Sequence, residues 1–323
     1  MVTIPVTRLV LTAAVLVNLV QVGRADSYRF TPINVPGATN TQVTSINDAG
    51  QIVGYYPDTR QFRGFLDDRG GFTTIDPPGS VGTQPLGINN AGQIVGWYFP
   101  TITASIVRGF LYDGGTFTTI NALLALPTNV GSAVATGINS AGQIVGYFNT
   151  VQGFLDDHGT FTLINVPGTS GIQPAAINDA GQIVGTYYPT TGPQNISPLP
   201  QAFLYDHGTF TTIDVPGGRG TQATGINNAG QIVGYSVIDN RYQGFVDDHG
   251  SFTVIDAPGS GLTKLFGINN AGQIVGISGI DIRRVNSFVA DPVAVPEPAS
   301  LPVFLAGLAG LGILRWRPTC TEP

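Results

Sequence analysis

The sequence predicts an all-β fold: a six-bladed β-propeller of four-stranded antiparallel blades, with an N-terminal strand closing the last blade. Three observations predict it. A nine-residue phrase, "INNAGQIVG" at Ile88, recurs with one position varying at Ile46, Ile138, Ile177, Ile226 and Ile268. The successive spacings are 42, 50, 39, 49 and 42 residues, and a period near 40 to 50 with several short strands is the mark of propeller blades. The strand inventory is also split, with a surplus strand at the start and a missing one at the end.

Residues 1–25 read as a secretory signal and not as fold. Arg8 supplies a positive start, "LVLTAAVLVNLVQV" an apolar run, and Gly23 and Ala25 the small residues before a cut between Ala25 and Asp26. The propeller is assigned to residues 26–292. It opens on "YRFTPINVPG", Tyr28 to Gly37, which resembles the fourth piece of every later unit.

Each unit divides into four short pieces rich in β-branched and aromatic residues. In the fifth these are "ATGIN" from Ala223, "QIVGYS" from Gln231, "QGFVDD" from Gln243 and "SFTVID" from Ser251. None has the length or period of a helix. Asn227-Asn228-Ala229-Gly230 fits a type I turn closed by a left-handed glycine, which joins pieces one and two. "DHG" at Asp157, Asp206 and Asp248, "DRG" at Asp68 and "DGG" at Asp113 join pieces three and four. Proline at 36, 78, 167, 216 and 258 ends the fourth piece, since it has no N–H for a continuing ladder.

The last unit stops at Asp291 without a fourth piece. The surplus strand at Tyr28 supplies it, joining the two ends by hydrogen bonds and removing two open sheet edges. An open solenoid would need caps, and a split repeat has no use in one. The residue before each phrase is small: Ser45, Gly87, Gly137, Ala176, Gly225 and Gly267. That suits an innermost strand, where blades converge on the axis.

The tail, residues 293–323, is of another kind. Leu301 to Leu314 is unbroken apolar sequence, about 21 Å as a helix against a hydrocarbon core of about 30 Å. Arg315 and Arg317 follow, flanking Trp316. A Pro296-Glu297-Pro298 motif, a Gly/Ala/Leu-rich segment and then arginines resemble a PEP-CTERM sorting signal. The trailing "PTCTEP" departs from that family's basic ending. The resemblance implies export in a Gram-negative bacterium, processing by an exosortase near Pro296-Glu297-Pro298, transient anchoring by the short transmembrane helix, and a link to exopolysaccharide or biofilm. The repeats, over about residues 28 to 291, resemble HAF-type extracellular repeats, which imply export and no established activity.

Little catalytic chemistry is legible. His158, His207 and His249 all fall in one turn of the repeat, whereas a catalytic or metal cluster needs convergence from different places. The pairs at Asp67, Asp156 and Asp247 with their successors also recur at one position, as turn caps do. No metal site is assigned. Calcium at the "NDAG" turns would rest on Asp48 and Asp179 alone, since Asn90, Ser140, Asn228 and Asn270 replace them elsewhere. Cys320 is the single cysteine, and a net charge of −6 excludes nucleic acid as a partner. No catalytic residue is assigned. The candidate ligand-binding residues are Trp97, Tyr98, Tyr187 and Tyr188, at the longer connections, where they would stack on sugars or pack between blades. The expected function is a monomeric, non-enzymatic surface or matrix protein with exopolysaccharide or surface-protein partners. The alternative is a hydrolase or lyase acting on polysaccharide or lactone.

Overall fold

The computed structural model describes residues 28–293 except 60, 121–130, 150–151, 167, 191–198 and 282. The signal at Ala25 and Asp26, and the tail motif at Pro296, Glu297 and Pro298, lie outside these residues. Among the described residues, no helix is long and apolar enough to cross a membrane.

The strands run in chain order from β1 (Tyr28–Ile33). Blade 1 is β2 (Gln42–Ile46), β3 (Ile52–Pro57), β4 (Phe62–Asp68) and β5 (Gly71–Thr74). Blade 2 is β6 (Gly82–Ile88), β7 (Ile94–Phe99), β8 (Arg108–Asp113) and β9 (Thr116–Ile120). Blade 3 is β10 (Ala133–Ile138), β11 (Ile144–Phe148), β12 (Gln152–Asp157) and β13 (Thr160–Ile164). Blade 4 is β14 (Thr169–Ile177), β15 (Ile183–Pro189), β16 (Gln201–Asp206) and β17 (Thr209–Ile213). Blade 5 is β18 (Arg219–Ile226), β19 (Ile232–Ile238), β20 (Arg241–Asp248) and β21 (Ser251–Ile255). Blade 6 is β22 (Leu262–Ile268), β23 (Ile274–Asp281) and β24 (Arg284–Pro292), completed by β1.

The result is six four-stranded antiparallel sheets, a six-bladed propeller. β1 pairs with β24 from Tyr28 opposite Pro292 to Ile33 opposite Ser287, so the split blade is closed as the strand count requires. Phe30 adds an edge-on ring contact to Phe288 at 5.0 Å.

The phrase explains the core. Its valines, Val53, Val95, Val145, Val184, Val233 and Val275, are fully buried. The third-strand phenylalanines Phe65, Phe110, Phe154, Phe203, Phe245 and Phe288 are buried as well, all but Phe288 fully. Each cluster spans two blades: Val53 of blade 1 packs with Ile75, Ile88, Ile94 and Phe110. Burying one such side chain contributes about 1.5–3 kcal/mol, so the seams between blades hold the ring together. The closing glycine of the phrase seats the phenylalanine. A Cβ on Gly146 would lie 2.7 Å from the Phe154 ring and would collide with the Val134 carbonyl.

Both hairpins match their residues. Gly50 donates to the Asn47 carbonyl at 3.0 Å and holds φ +77°. In the third-to-fourth turn, Arg69, His158, His207 and His249 take φ between +45° and +54°, and the following glycines φ near +90°. Two successive positive φ values make the type I′ hairpin, which matches strand twist. Histidine is tolerated there as an exposed left-handed residue.

Candidate functional site

The six inner strands line an axial channel, and the turns that end them ring its hairpin-side opening. Asn47 donates through Nδ2 to the Asn89 carbonyl of the next blade at 3.1 Å. Asn89 does so to Asn139, Asn139 to Asn178, Asn178 to Asn227, Asn227 to Asn269 and Asn269 back to Asn47, at 2.9 to 3.2 Å. Every blade is thus tied to the next. The other Nδ2 hydrogen of each asparagine goes to the glutamine four residues on, as Asn47 to Gln51 at 2.8 Å. On five blades that glutamine also reaches the aspartate at the end of the third strand, as Gln273 to Asp291 at 2.7 Å. The polar residues of the phrase are therefore structural, and no buried donor among these asparagines is left unpaired.

A second ring lies outside it. Asp48 accepts from the side chains of both Asn90 and Asn270 at 2.7 Å. Asp179, three blades away, accepts from Asn228 at 2.7 Å and Ser140 Oγ at 3.0 Å. These bonds, partly offset by burial, leave the Asp179 carboxyl below its ordinary pKa. Amide and hydroxyl donors occupy the oxygens that a calcium ion would need. Among the described residues, no group of three His, Cys, Asp or Glu side chains converges.

The paired carboxylates also divide. Asp67, Asp156 and Asp247 are buried, and each accepts from the glycine N–H of its turn at 2.6 Å. Burial raises the Asp156 and Asp247 pKa values. Their neighbours Asp68, Asp157 and Asp248 are exposed. The three histidines each face the preceding aspartate, as His158 Nδ1 to Asp157 at 2.8 Å. None approaches another.

The opposite end of the channel is different. Each inner strand carries a β-bulge just before its small residue, as between Val43 and Ser45. The bulge turns one further residue to the axis. On blades 1 to 6 these are Thr44, Leu86, Thr136, Ala175, Thr224 and Phe266, and all line the channel. The threonines of alternate blades donate to the next blade: Thr44 to Pro85, Thr136 to Pro174 and Thr224 to Leu265, at 2.8 to 2.9 Å. The small residues form the waist, a space of about 80 Å³. A Cβ on Gly137 would stand 2.8 Å from Ala176 Cα.

Above the waist the channel opens into a cavity of about 290 Å³ on the face bearing the longer connections. This is close to the lower size of small-molecule sites, roughly 300 Å³. Gln42, Gln84, Gln173 and Gln222 line it with Tyr55, Tyr147 and Phe266. Among the described residues, no charged one lines it. Tyr55 donates to Gln42 at 3.1 Å, and Tyr235 to Gln222 at 2.8 Å, which fixes two of the amides. Burial raises the pKa values of Tyr55 and Tyr147, and pushes that of Tyr235 up to about 12.

The four sequence-predicted aromatics separate into two pairs. Tyr98 leans on Phe110 and bonds Thr119 at 3.0 Å, and Tyr187 bonds Gln201 and Thr212, so both brace blades. Trp97 holds on blade 2 the position that Tyr55 and Tyr147 hold on theirs. Tyr188 shares a strand face with Thr186, which lines the cavity, and its phenol adds to the raised pKa values of Tyr147 and Tyr235. The glutamines were not singled out from sequence. Their signal is a glutamine four residues before the phrase in four units, with Val134 and Lys264 in the other two.

Lys264 is the one lysine of the chain. Its Nζ lies 4.4 Å from the Tyr235 ring centroid and 3.9 Å from that of Tyr242. Partial burial lowers its pKa. The two faces also differ in charge. Among the described residues, all the turn and strand-end aspartates from Asp48 to Asp291 that face the hairpin side, eleven in number, meet only Arg29 and Arg69. The cavity side carries Asp58, Asp76, Asp214, Asp239, Asp256 and Asp281. Against them stand Arg63, Arg108, Arg219, Arg241, Lys264, Arg283 and Arg284.

No protein-family description matches this chain, and no curated protein matches it. Among solved structures it is similar to a streptogramin B lyase, at 12% identity and TM-score 0.47, covering 83% of this chain and 99% of that one. It is similar to the SapL1 lectin in complex with alpha methyl fucoside, at 13% identity and TM-score 0.48, covering 80% and 97%. A structural genomics protein of unknown function from Bacteroides thetaiotaomicron aligns at 11% identity and TM-score 0.48, covering 83% and 74%. Likeness of this degree carries no argument about ligand or activity.

Proposed function

We propose that this is an exported surface or matrix protein whose propeller binds carbohydrate at the wide mouth of its channel, without turning it over. One observation carries the reading: the mouth is lined by four glutamine amides, threonine hydroxyls and tyrosines, with no carboxylate among the described residues. Amides that both donate and accept suit sugar hydroxyls, and aromatic rings suit the apolar faces of sugars. Glycan hydrolysis ordinarily needs two carboxyl groups flanking the bond. The buried aspartates stand at the hairpin end instead.

The chain's course fits a surface role. Tyr28 lies opposite Pro292 at the hairpin face, so the chain enters and leaves the propeller on the side away from the mouth. The signal and the PEP-CTERM-like tail, read as above, support export to the cell envelope. An exosortase would act on the tail, and the polysaccharide of the producing cell is the expected ligand.

Binding of the exported protein to that polysaccharide, and to a panel of purified oligosaccharides, tests the reading. Saturable binding that falls at least tenfold in a Gln84→Ala, Gln222→Ala double variant is expected. A blank panel would remove carbohydrate from consideration. Turnover of a glycan or lactone would establish the hydrolase or lyase alternative in its place.

A further inference from the structure

Lys264, beside the mouth and outside its lining residues, breaks the glutamine pattern of the inner strands with a positive charge. It occupies the inner-strand position that Gln42, Gln84, Gln173 and Gln222 hold on four other blades. It adjoins the cavity through Tyr235, which its ammonium covers and which is bonded to the cavity residue Gln222. Phe266, two residues on, lines the cavity and meets the Tyr235 ring edge-on at 6.4 Å. Among the described residues, Lys264 forms no ion pair, whereas Arg63 and Arg241 of the same face are paired with Asp58, Asp76 and Asp256. A half-buried cation held only by two aromatic faces is poised for an anion, because a desolvated charge gains most from a direct partner. Its lowered pKa is the mark of that desolvation.

The charge distribution points the same way independently. The acidic hairpin face repels an anion, while on the mouth face the basic residues balance the aspartates. A negatively charged ligand is therefore steered to the mouth.

We propose that the mouth recognises an acidic saccharide, its uronate carboxylate bound by Lys264 and its hydroxyls by the neighbouring glutamine amides. This rests on the carbohydrate reading above and narrows it to a charged sugar. No covalent step is involved.

The single lysine makes the test direct. Protein labelled with 13C at lysine Cε gives one lysine signal, reporting on Lys264 alone. Oligogalacturonate should move that signal and bind about tenfold more tightly than the matching neutral oligosaccharide at low salt. Lys264→Gln, which restores the glutamine of the other blades, should remove the difference and leave neutral binding intact. An unmoved lysine signal, or an acidic preference that survives in Lys264→Gln, would overturn the proposal. So would equal affinity for neutral and acidic sugars, while leaving the carbohydrate site standing. Preference for a sulfated sugar over the uronate would overturn the carboxylate assignment. Failure of every sugar to bind would overturn both readings together. The wild-type lysine signal decides the matter even if Lys264→Gln folds poorly.

Discussion

The Asn269 side chain donates to the Asn47 carbonyl at 3.0 Å, joining residues 222 positions apart. The bond is the same one made at five other seams, but here it links the last blade to the first. Asn269 is 3% exposed, so water cannot replace its amide without rearrangement. Asn269→Ala leaves the Asn47 carbonyl and Gln273 Oε1 without this donor. Loss of a buried partner costs about 1–3 kcal/mol. The denaturant midpoint should fall accordingly with an unchanged slope. A midpoint equal to wild type would mean that the asparagine ring contributes nothing to closure.

The β1–β24 ladder is the second closure and the larger one. Removing residues 28–37 strips the partner from every residue between Ser287 and Pro292 and takes Phe30 off Phe288. An exposed β24 edge invites pairing with another copy. The shortened protein should melt at least 10 °C lower, on the order of 5 kcal/mol for a chain of this size, and should associate in light scattering. Unchanged melting would show that the ring does not depend on this strand.

The glycines differ in what they exclude, and the difference is testable. A Cβ on Gly146 meets the Val134 carbonyl and the Phe154 ring, both fixed by the blade. A Cβ on Gly267 has Ser45 Cα at 3.2 Å and Val275 Cγ2 at 3.3 Å, a fit that small shifts relieve. Gly146→Ala should therefore lose soluble folded protein, and Gly267→Ala should cost at most about 1–3 kcal/mol, the usual range for overpacking. Thermal unfolding of the pair decides it. Equal stability would deny that the phenylalanine needs its glycine.

Blade number, strand order and ring closure were legible because repeated turn residues and a split strand inventory leave few arrangements open. The small inner residues were legible too, since Gly137 and its equivalents alternate with nothing larger than alanine or serine. The asparagine ring was not. Asn227 reads locally as a turn residue, and its Oδ1 does accept from Ala229 and Gln231, but its Nδ2 crosses to another blade. A single strand pattern carries no sign of a bond to a residue about forty positions away. The cavity was missed for a related reason. The bulge before each small residue reverses which side chains face the axis, so strict alternation misplaces Thr44 and Phe266. Tyr98 and Tyr187 were drawn as ligand residues by their place near long loops, yet their strand face directs them into the seams.

The buried phenols give the propeller an alkaline limit. Desolvation raises the pKa of Tyr28, Tyr55 and Tyr147, and carries Tyr235 to about 12. In the unfolded chain these groups ionise near their ordinary value of about 10. A folded-state pKa raised above the unfolded one contributes stability that is complete below about pH 10. It is lost as pH climbs from there toward the folded values. For Tyr235 alone the loss is on the order of 2–3 kcal/mol by pH 12. Lys264, with its lowered pKa, acts oppositely, since its unfavourable charge is relieved as it deprotonates, and this effect ends where the unfolded lysine also loses its proton. Net stability should therefore change little up to about pH 10 and drop steeply above it. Phenolate absorbance should rise in two steps: exposed tyrosines first, then the buried group together with the loss of β-sheet circular dichroism. Tyr235→Phe should delay the second step. A single absorbance step at the ordinary tyrosine value, with the sheet signal intact, would show that these phenols are not sequestered.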